Sequence, residues 1–174
     1  MQTNLGPVCG GFVETSTGKI AIQFLGIPFG ADTGGENRFA APKPHEPWKD
    51  TFKALTHGAP CPEPETTGAG LTSEDCLHLN VWTPEGTKEG DDIPVMVFIY
   101  GGAFLAGNAE NPLYDGSYIA ANKDVIVVNF NYRIGVLGFL ATNELDGNYG
   151  FMDQQLAMKW VKDNIKKFGG NPEK

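Results

Sequence analysis

With 174 residues, 41% of them hydrophobic and 20% charged, the chain is long enough to bury a core and too apolar to be disordered. Its formal net charge of −8 argues against a nucleic-acid partner, because phosphate binding needs clustered Lys and Arg, and the nearest set, Lys162, Lys166 and Lys167, belongs to a helix end. No apolar run reaches the length of a membrane span, and Cys9, Cys61 and Cys76 lack the spacing and His neighbours of a metal site.

The first predicted elements are two short strands over residues 8–13 and 20–24, divided by Thr17-Gly18-Lys19, whose turn chemistry predicts a hairpin. Cys9, inside the first run, is expected to be a small core residue. Residues 31–70 are rich in Gly, Pro, Glu and Thr and read as a long connecting loop, broken by a segment at 48–54. Residues 77–82 alternate Leu77, Leu79 and Val81 against His78, Asn80 and Trp82, a strand with two different faces. A polar turn over 84–92 leads into an apolar run at 95–100, the pattern of a strand buried on both faces.

A short helix at 117–122 and a third strand at 125–132 follow. Strand, crossover helix and strand make a βαβ unit and imply a parallel sheet. The last element is the best-defined helix, with Met152, Leu156 and Trp160 on one line and Ala157, Val161, Ile165 and Phe168 beside it. Asp153 in its first turn and Lys162, Lys166 and Lys167 near its end suit the helix dipole, and Gly169-Gly170 stops it. The start, MQTNLGPVCGG, lacks the charged and apolar regions of a signal peptide, which favours a cytoplasmic location.

The chemistry concentrates where the 95–100 run ends in Gly101-Gly102-Ala103. Side chains vanish there and backbone N–H groups can approach an anion, although the same residues also suit a plain glycine turn. Gly102 and Gly107 have the spacing of a phosphate-binding P-loop, but Asn108-Ala109 stand where Lys-Ser/Thr is required. No G-x-G-x-x-G opens a helix, so no dinucleotide site is expected and no cofactor is assigned. None of Ser16, Ser73 and Ser117 sits in a G-x-S-x-G elbow. His45 and His57 lie in proline-flanked loops and His78 on a strand face; without a partnered nucleophile each reads as a packing or surface residue. Cys61 and Cys76, if bridged, would close a loop of about fifteen residues worth ~3 kcal/mol in the chain-entropy model, a structural staple rather than a catalytic thiol.

Taken together, several stretches resemble the type-B carboxylesterase family, which includes the cholinesterases. They are GIPFG followed by NRFAAP, SEDCLHLNVWTP, PVMVFIYGGAFLAG, VIVVNFNYRIGVLGFL and GNYGFMDQQLAMKWVKDNIKKFGGNP, in the family's order along nearly the whole chain. The resemblance implies an α/β fold, the N-terminal portion of an α/β-hydrolase with an N-terminal hairpin and a mostly parallel central sheet. It implies that the backbone N–H groups of Gly102 and Ala103 form part of an oxyanion hole, with Tyr100 where many members have His. It also implies a Cys61–Cys76 disulfide and internal ion pairs Arg38–Glu74 and Arg133–Asp153. In cholinesterases the cysteine loop is longer and carries a tryptophan that holds a quaternary ammonium; here no aromatic residue lies between Cys61 and Cys76, which disfavours choline esters.

The family's serine elbow, acid and histidine are expected beyond Lys174, so residues 1–174 read as the N-terminal part of a single domain, truncated before the nucleophile elbow and inactive alone. The parent is expected to be a serine hydrolase of small-molecule carboxylic esters. A competing reading is a cholinesterase-like binding or adhesion module that has lost catalysis. A third takes the 174 residues as the natural product; the 125–132 strand would then lose a neighbour and expose an apolar edge. The disulfide favours secretion, against the cytoplasmic reading of the start.

Overall fold

The alternation of the second strand and the positive φ of Gly18 (77°) turn the chain back on itself early, so β2 (Gly11–Glu14) and β3 (Ile20–Pro28) pair antiparallel with Glu14 opposite Ile20. The computed structural model describes residues 1–63 and 71–174. The expected hairpin is present, but its first run is split: β1 (Val8–Cys9) leaves the sheet to pair in parallel with β4 (Phe52–Lys53). Cys9 is free and only partly buried, not the core residue expected of it, because its short strand lies outside the main sheet.

The main sheet has the order β2-β3-β5-β7-β6, completed by β5 (His78–Pro84), β6 (Val95–Phe98) and β7 (Ile126–Phe130). Three of its pairings are antiparallel and one, β6 with β7, is parallel. The sheet over these residues is therefore mixed rather than mostly parallel. Among the described residues only β6 and β7 are joined by a helical crossover, α1 (Ser117–Lys123), which lets two sequential strands run the same way.

Helices cover both faces of the sheet. Ala21, Leu25, Trp82 and Val127 meet Ala120 of α1 on one side. Phe24, Leu79, Val81, Ile126, Val128 and Phe130 meet Trp160, Val161, Ile165 and Phe168 on the other, where α3 (Tyr149–Asn164) runs into a 3-10 turn, Ile165–Phe168. The apolar stripe read from the sequence is thus the face α3 lays on the sheet, and Gly169, at φ 86°, ends it. Residues 77–82 do alternate, Leu79 and Val81 toward α3 and Trp82 toward α1, yet both faces are buried because each has a helix over it.

The apolar run at 95–100 behaves in the opposite way. It was expected to be buried on both faces, but β6 is the outermost strand, and Met96 and Phe98 are 51% and 40% exposed. The apolar edge expected at 125–132 accordingly lies on β6, and β7 is held between β5 and β6. The start of that edge is covered by the end of the chain. Ile93 donates to Gly169 O at 2.9 Å, Asn171 to Ile93 O at 2.8 Å and Val95 to Lys174 O at 3.1 Å, a parallel approach beside the strand. A five-residue helix, α2 (Gly135–Phe139), was not legible in the sequence. No described helix is long and apolar enough to cross a membrane.

Candidate active site

The Gly101-Gly102-Ala103 corner stands at the carboxyl end of β6, exposed. Gly102 has a φ of 137°, and a Cβ there would lie 1.8 Å from Ala106 O, so only glycine fits. The turn is closed by Leu105 N–H and Ala106 N–H, which donate to Gly102 O at 3.0 and 3.2 Å. Ala103 and Phe104 follow at φ 54° and 61°, two consecutive side-chain-bearing residues in the left-handed region. Such a conformation costs roughly 1–2 kcal/mol per residue and is kept only where the surroundings impose it. Neither the Gly102 nor the Ala103 N–H has an acceptor among the described residues. Two adjacent unpaired amides on a braced turn can hold an oxyanion by hydrogen bonds that need no rearrangement when the charge forms.

What braces the turn comes from β7 and the helices behind it. Tyr100 and Tyr132 stack with ring centroids 4.6 Å apart, and each hydroxyl donates to the other residue's carbonyl at 3.1 Å. Burial pushes the Tyr100 hydroxyl far above its ordinary range, so it stays a donor. Gly135 N–H donates to Phe104 O at 2.6 Å, and the Phe104, Phe139 and Phe151 rings cluster at 5.1 to 5.4 Å. An open pocket of about 280 Å³ is lined by Gly102, Ala103, Phe104, Tyr132, Phe151 and Gln154.

One residue beyond Tyr132, Arg133 is 2% exposed and grips Asp153 of α3 through Nε and Nη2, both at 2.8 Å, while its backbone N–H donates to the same carboxylate at 2.9 Å. Burial raises the Asp153 carboxyl pKa, against these three donors, which favour the charged form. The remaining guanidinium N–H, Nη1, reaches Ala40 O at 2.9 Å, and the Arg133 carbon lies 5.3 Å from the Tyr149 ring centre. This pair fixes the start of α3 to the end of β7. The other pair is not internal: Arg38 and Glu74 bond through both guanidinium and carboxylate ends, but Arg38 is 48% exposed. That contact holds the Glu74 carboxyl below its usual range.

Cys61 and Cys76 are joined, both fully buried. The residues between them that were read as lacking an aromatic lie partly at 64–70, outside the described residues. Two residues past Cys61, the Glu63 carboxylate accepts from Gly107 N–H at 2.8 Å and Asn108 Nδ2 at 3.0 Å. From the end of β7, Asn131 Oδ1 accepts from Ala109 N–H at 2.9 Å, and Asn131 Nδ2 donates to Glu110 Oε1 at 2.7 Å. Burial pushes the Glu110 carboxyl up to about 6, and its Oε2 has no partner among the described residues. A buried amide track, Asn80 to Asn129 at 2.8 Å and Asn129 to Ala109 O at 3.1 Å, ties the same loop to β5.

The histidines do not assemble a base. His45 Nδ1 faces Glu46 O, and His57 Nδ1 faces Asn80 Oδ1 at 3.2 Å. Burial lowers the pKa of both His57 and His78. No hydrogen bond joins a serine hydroxyl to a histidine among the described residues. Sequence reading missed Glu63, Asn131 and the two tyrosines as braces of the corner; only the position of Tyr100 beside the glycines could have flagged one of them.

Comparison with known proteins gives the same corner a lineage. The sequence matches the carboxylesterase family over residues 1–174. It is 42% identical to acetylcholinesterase of Electrophorus electricus over 99% of this chain and 30% of that protein. Identity to human bile salt-activated lipase is 47%, over 94% of this chain and 23% of the lipase. Para-nitrobenzyl esterase of Bacillus subtilis is 42% identical over 94% of this chain and 35% of the esterase. The chain thus spans between 23% and 35% of the length of these relatives. A match from first residue to last, on a chain whose sheet is covered by helices on both faces, makes this chain a member of the carboxylesterase family.

Proposed function

We propose that the chain is the N-terminal part of a serine hydrolase of carboxylic esters, and that Gly102 and Ala103 supply half of its oxyanion hole. The observation that carries this reading is the pair of unpaired, exposed N–H groups on a turn closed by bonds to Gly102 O and braced by the Tyr100–Tyr132 stack. Relatives named as an acetylcholinesterase, a lipase and an esterase support a small-molecule ester as substrate. In this reading a serine attacks the ester carbonyl with help from a histidine held by a carboxylate, and the developing oxyanion is received by Gly102 N–H, Ala103 N–H and one further N–H next to the serine.

The register beside β6 supports a place for that serine. Lys174 O already accepts from Val95 N–H at the start of β6. A strand continuing in parallel along β6 at about 3.3 Å per residue draws level with Gly101–Ala103 roughly six to eight residues later. It would end in a tight turn facing the two amides, the geometry a nucleophile elbow provides.

The test is hydrolysis of a short acyl ester by the parent protein. Turnover abolished by an organophosphate that phosphorylates the serine hydroxyl, with loss of its leaving group, is the expected result. A folded parent with no turnover above buffer would replace this reading with the binding or adhesion module.

A further inference from the structure

The corner loop closes at Gly107, and what holds it closed comes from a distant part of the chain. Gly107, at φ 115°, packs back over the start of the loop: a Cβ there would meet Gly101 O and the Tyr100 ring, each at 2.7 Å. Its N–H and the Asn108 side chain both donate to one carboxylate, that of Glu63, at 2.8 and 3.0 Å. Glu63 lies two residues from Cys61, and Cys61 is bonded to Cys76, which sits two residues before β5. A continuous path therefore runs from the sheet through the disulfide to Glu63, to Gly107 and so to Gly101 and the two amides beyond it.

We propose that Glu63 is a positioning residue for the oxyanion hole, a reading that rests on the esterase function inferred above. Two donors on one carboxylate fix the angle at which Gly107 returns over Gly101, and so the direction in which Gly102 and Ala103 point their N–H groups. Charge-assisted bonds of this kind are about twice as strong as neutral ones, which suits a part that must hold a strained loop. Neither Glu63 nor Gly107 lines the pocket at the two amides, so the carboxylate shapes the hole without touching substrate. Displacing a catalytic donor by about 1 Å is enough to lose roughly 10²-fold in rate.

The experiment compares the parent protein with its Glu63→Ala and Glu63→Gln variants, with p-nitrophenyl acetate as substrate. Active sites are counted by organophosphate titration taken to completion, and exchange of the Gly107 amide is followed in parallel. The expected result is kcat per titrated site down about 10- to 100-fold in Glu63→Ala with KM within about threefold, and faster Gly107 exchange. Glu63→Gln, which keeps an acceptor for one of the two donors, falls between Glu63→Ala and the unaltered protein, and carries the test alone if Glu63→Ala does not fold. A variant that loses only titratable sites, with kcat per site unchanged, overturns the proposal and leaves Glu63 a fold residue. An unaltered parent without turnover overturns the esterase reading instead, and this one with it.

Discussion

Replacing Asp153 with asparagine removes one negative charge and almost no volume, and it should be among the costliest single changes in the chain. Arg133 would stay 2% exposed with its charge uncompensated, left to Ala40 O, to the Tyr149 ring 5.3 Å away and to one amide oxygen. Breaking a buried pair by removing one partner costs roughly 3–5 kcal/mol. The cation–π contact with Tyr149, worth about 2 kcal/mol when desolvated, is already present in the unaltered protein and offsets none of the loss. Against a total stability on the order of 5–15 kcal/mol, Asp153→Asn takes about a fifth or more. With a urea slope of about 2 kcal/mol per molar, the unfolding midpoint should fall by roughly 1.5–2.5 M, measured by tryptophan fluorescence. The double change Arg133→Met with Asp153→Leu should recover most of the loss, since an apolar replacement leaves no charge stranded. A shift below about 1 kcal/mol for Asp153→Asn would show that Arg133 finds another partner or water and would refute the reasoning.

Two further outcomes follow from the same structure. Glu110 titrates at about 6 in the folded protein against an ordinary 4.5, so between those values the folded state holds more protons than the unfolded one and stability falls as pH rises. The loss amounts to about 2 kcal/mol by pH 7, and Glu110→Gln should remove that slope in urea melts taken from pH 4 to 7. Removing the disulfide by Cys61→Ala with Cys76→Ala opens a loop with a sequence separation of 15 and should cost about 3 kcal/mol in the same assay.

The glycine corner was legible as a turn because its signal is local, a strand followed by residues without side chains; its reading as part of an oxyanion hole came from the family resemblance. The faces of the strands were not. The apolar run of β6 suggests double burial, yet β6 stands at the edge of the sheet, and Met96 and Phe98 are exposed. β5 hid the reverse case, since His78 and Asn80 look like a solvent face until Asn80 is seen bonded to Gly26 N–H and Asn129 between two helices. Glu63 had no periodicity to betray it: its partner lies 44 residues away, and nothing short of the fold brings a loop carboxylate to the back of the corner. Ion pairing was carried by the family resemblance, and burial then separated the two pairs, Arg133–Asp153 sealed in the core and Arg38–Glu74 at the surface.

The central claim concerns two backbone N–H groups, and it is tested best by removing one of them while every side chain is kept. Replacing Ala103 with lactic acid in the parent protein changes a single amide to an ester: the methyl group is kept, the N–H is lost, and Gly102 O, which accepts from the Leu105 and Ala106 N–H groups, becomes a somewhat weaker acceptor. If that N–H receives the oxyanion, kcat for ester hydrolysis falls about 10²–10³-fold with KM little changed. A kcat within about threefold of the unaltered protein would mean that the corner after β6 is a turn and not half of an oxyanion hole.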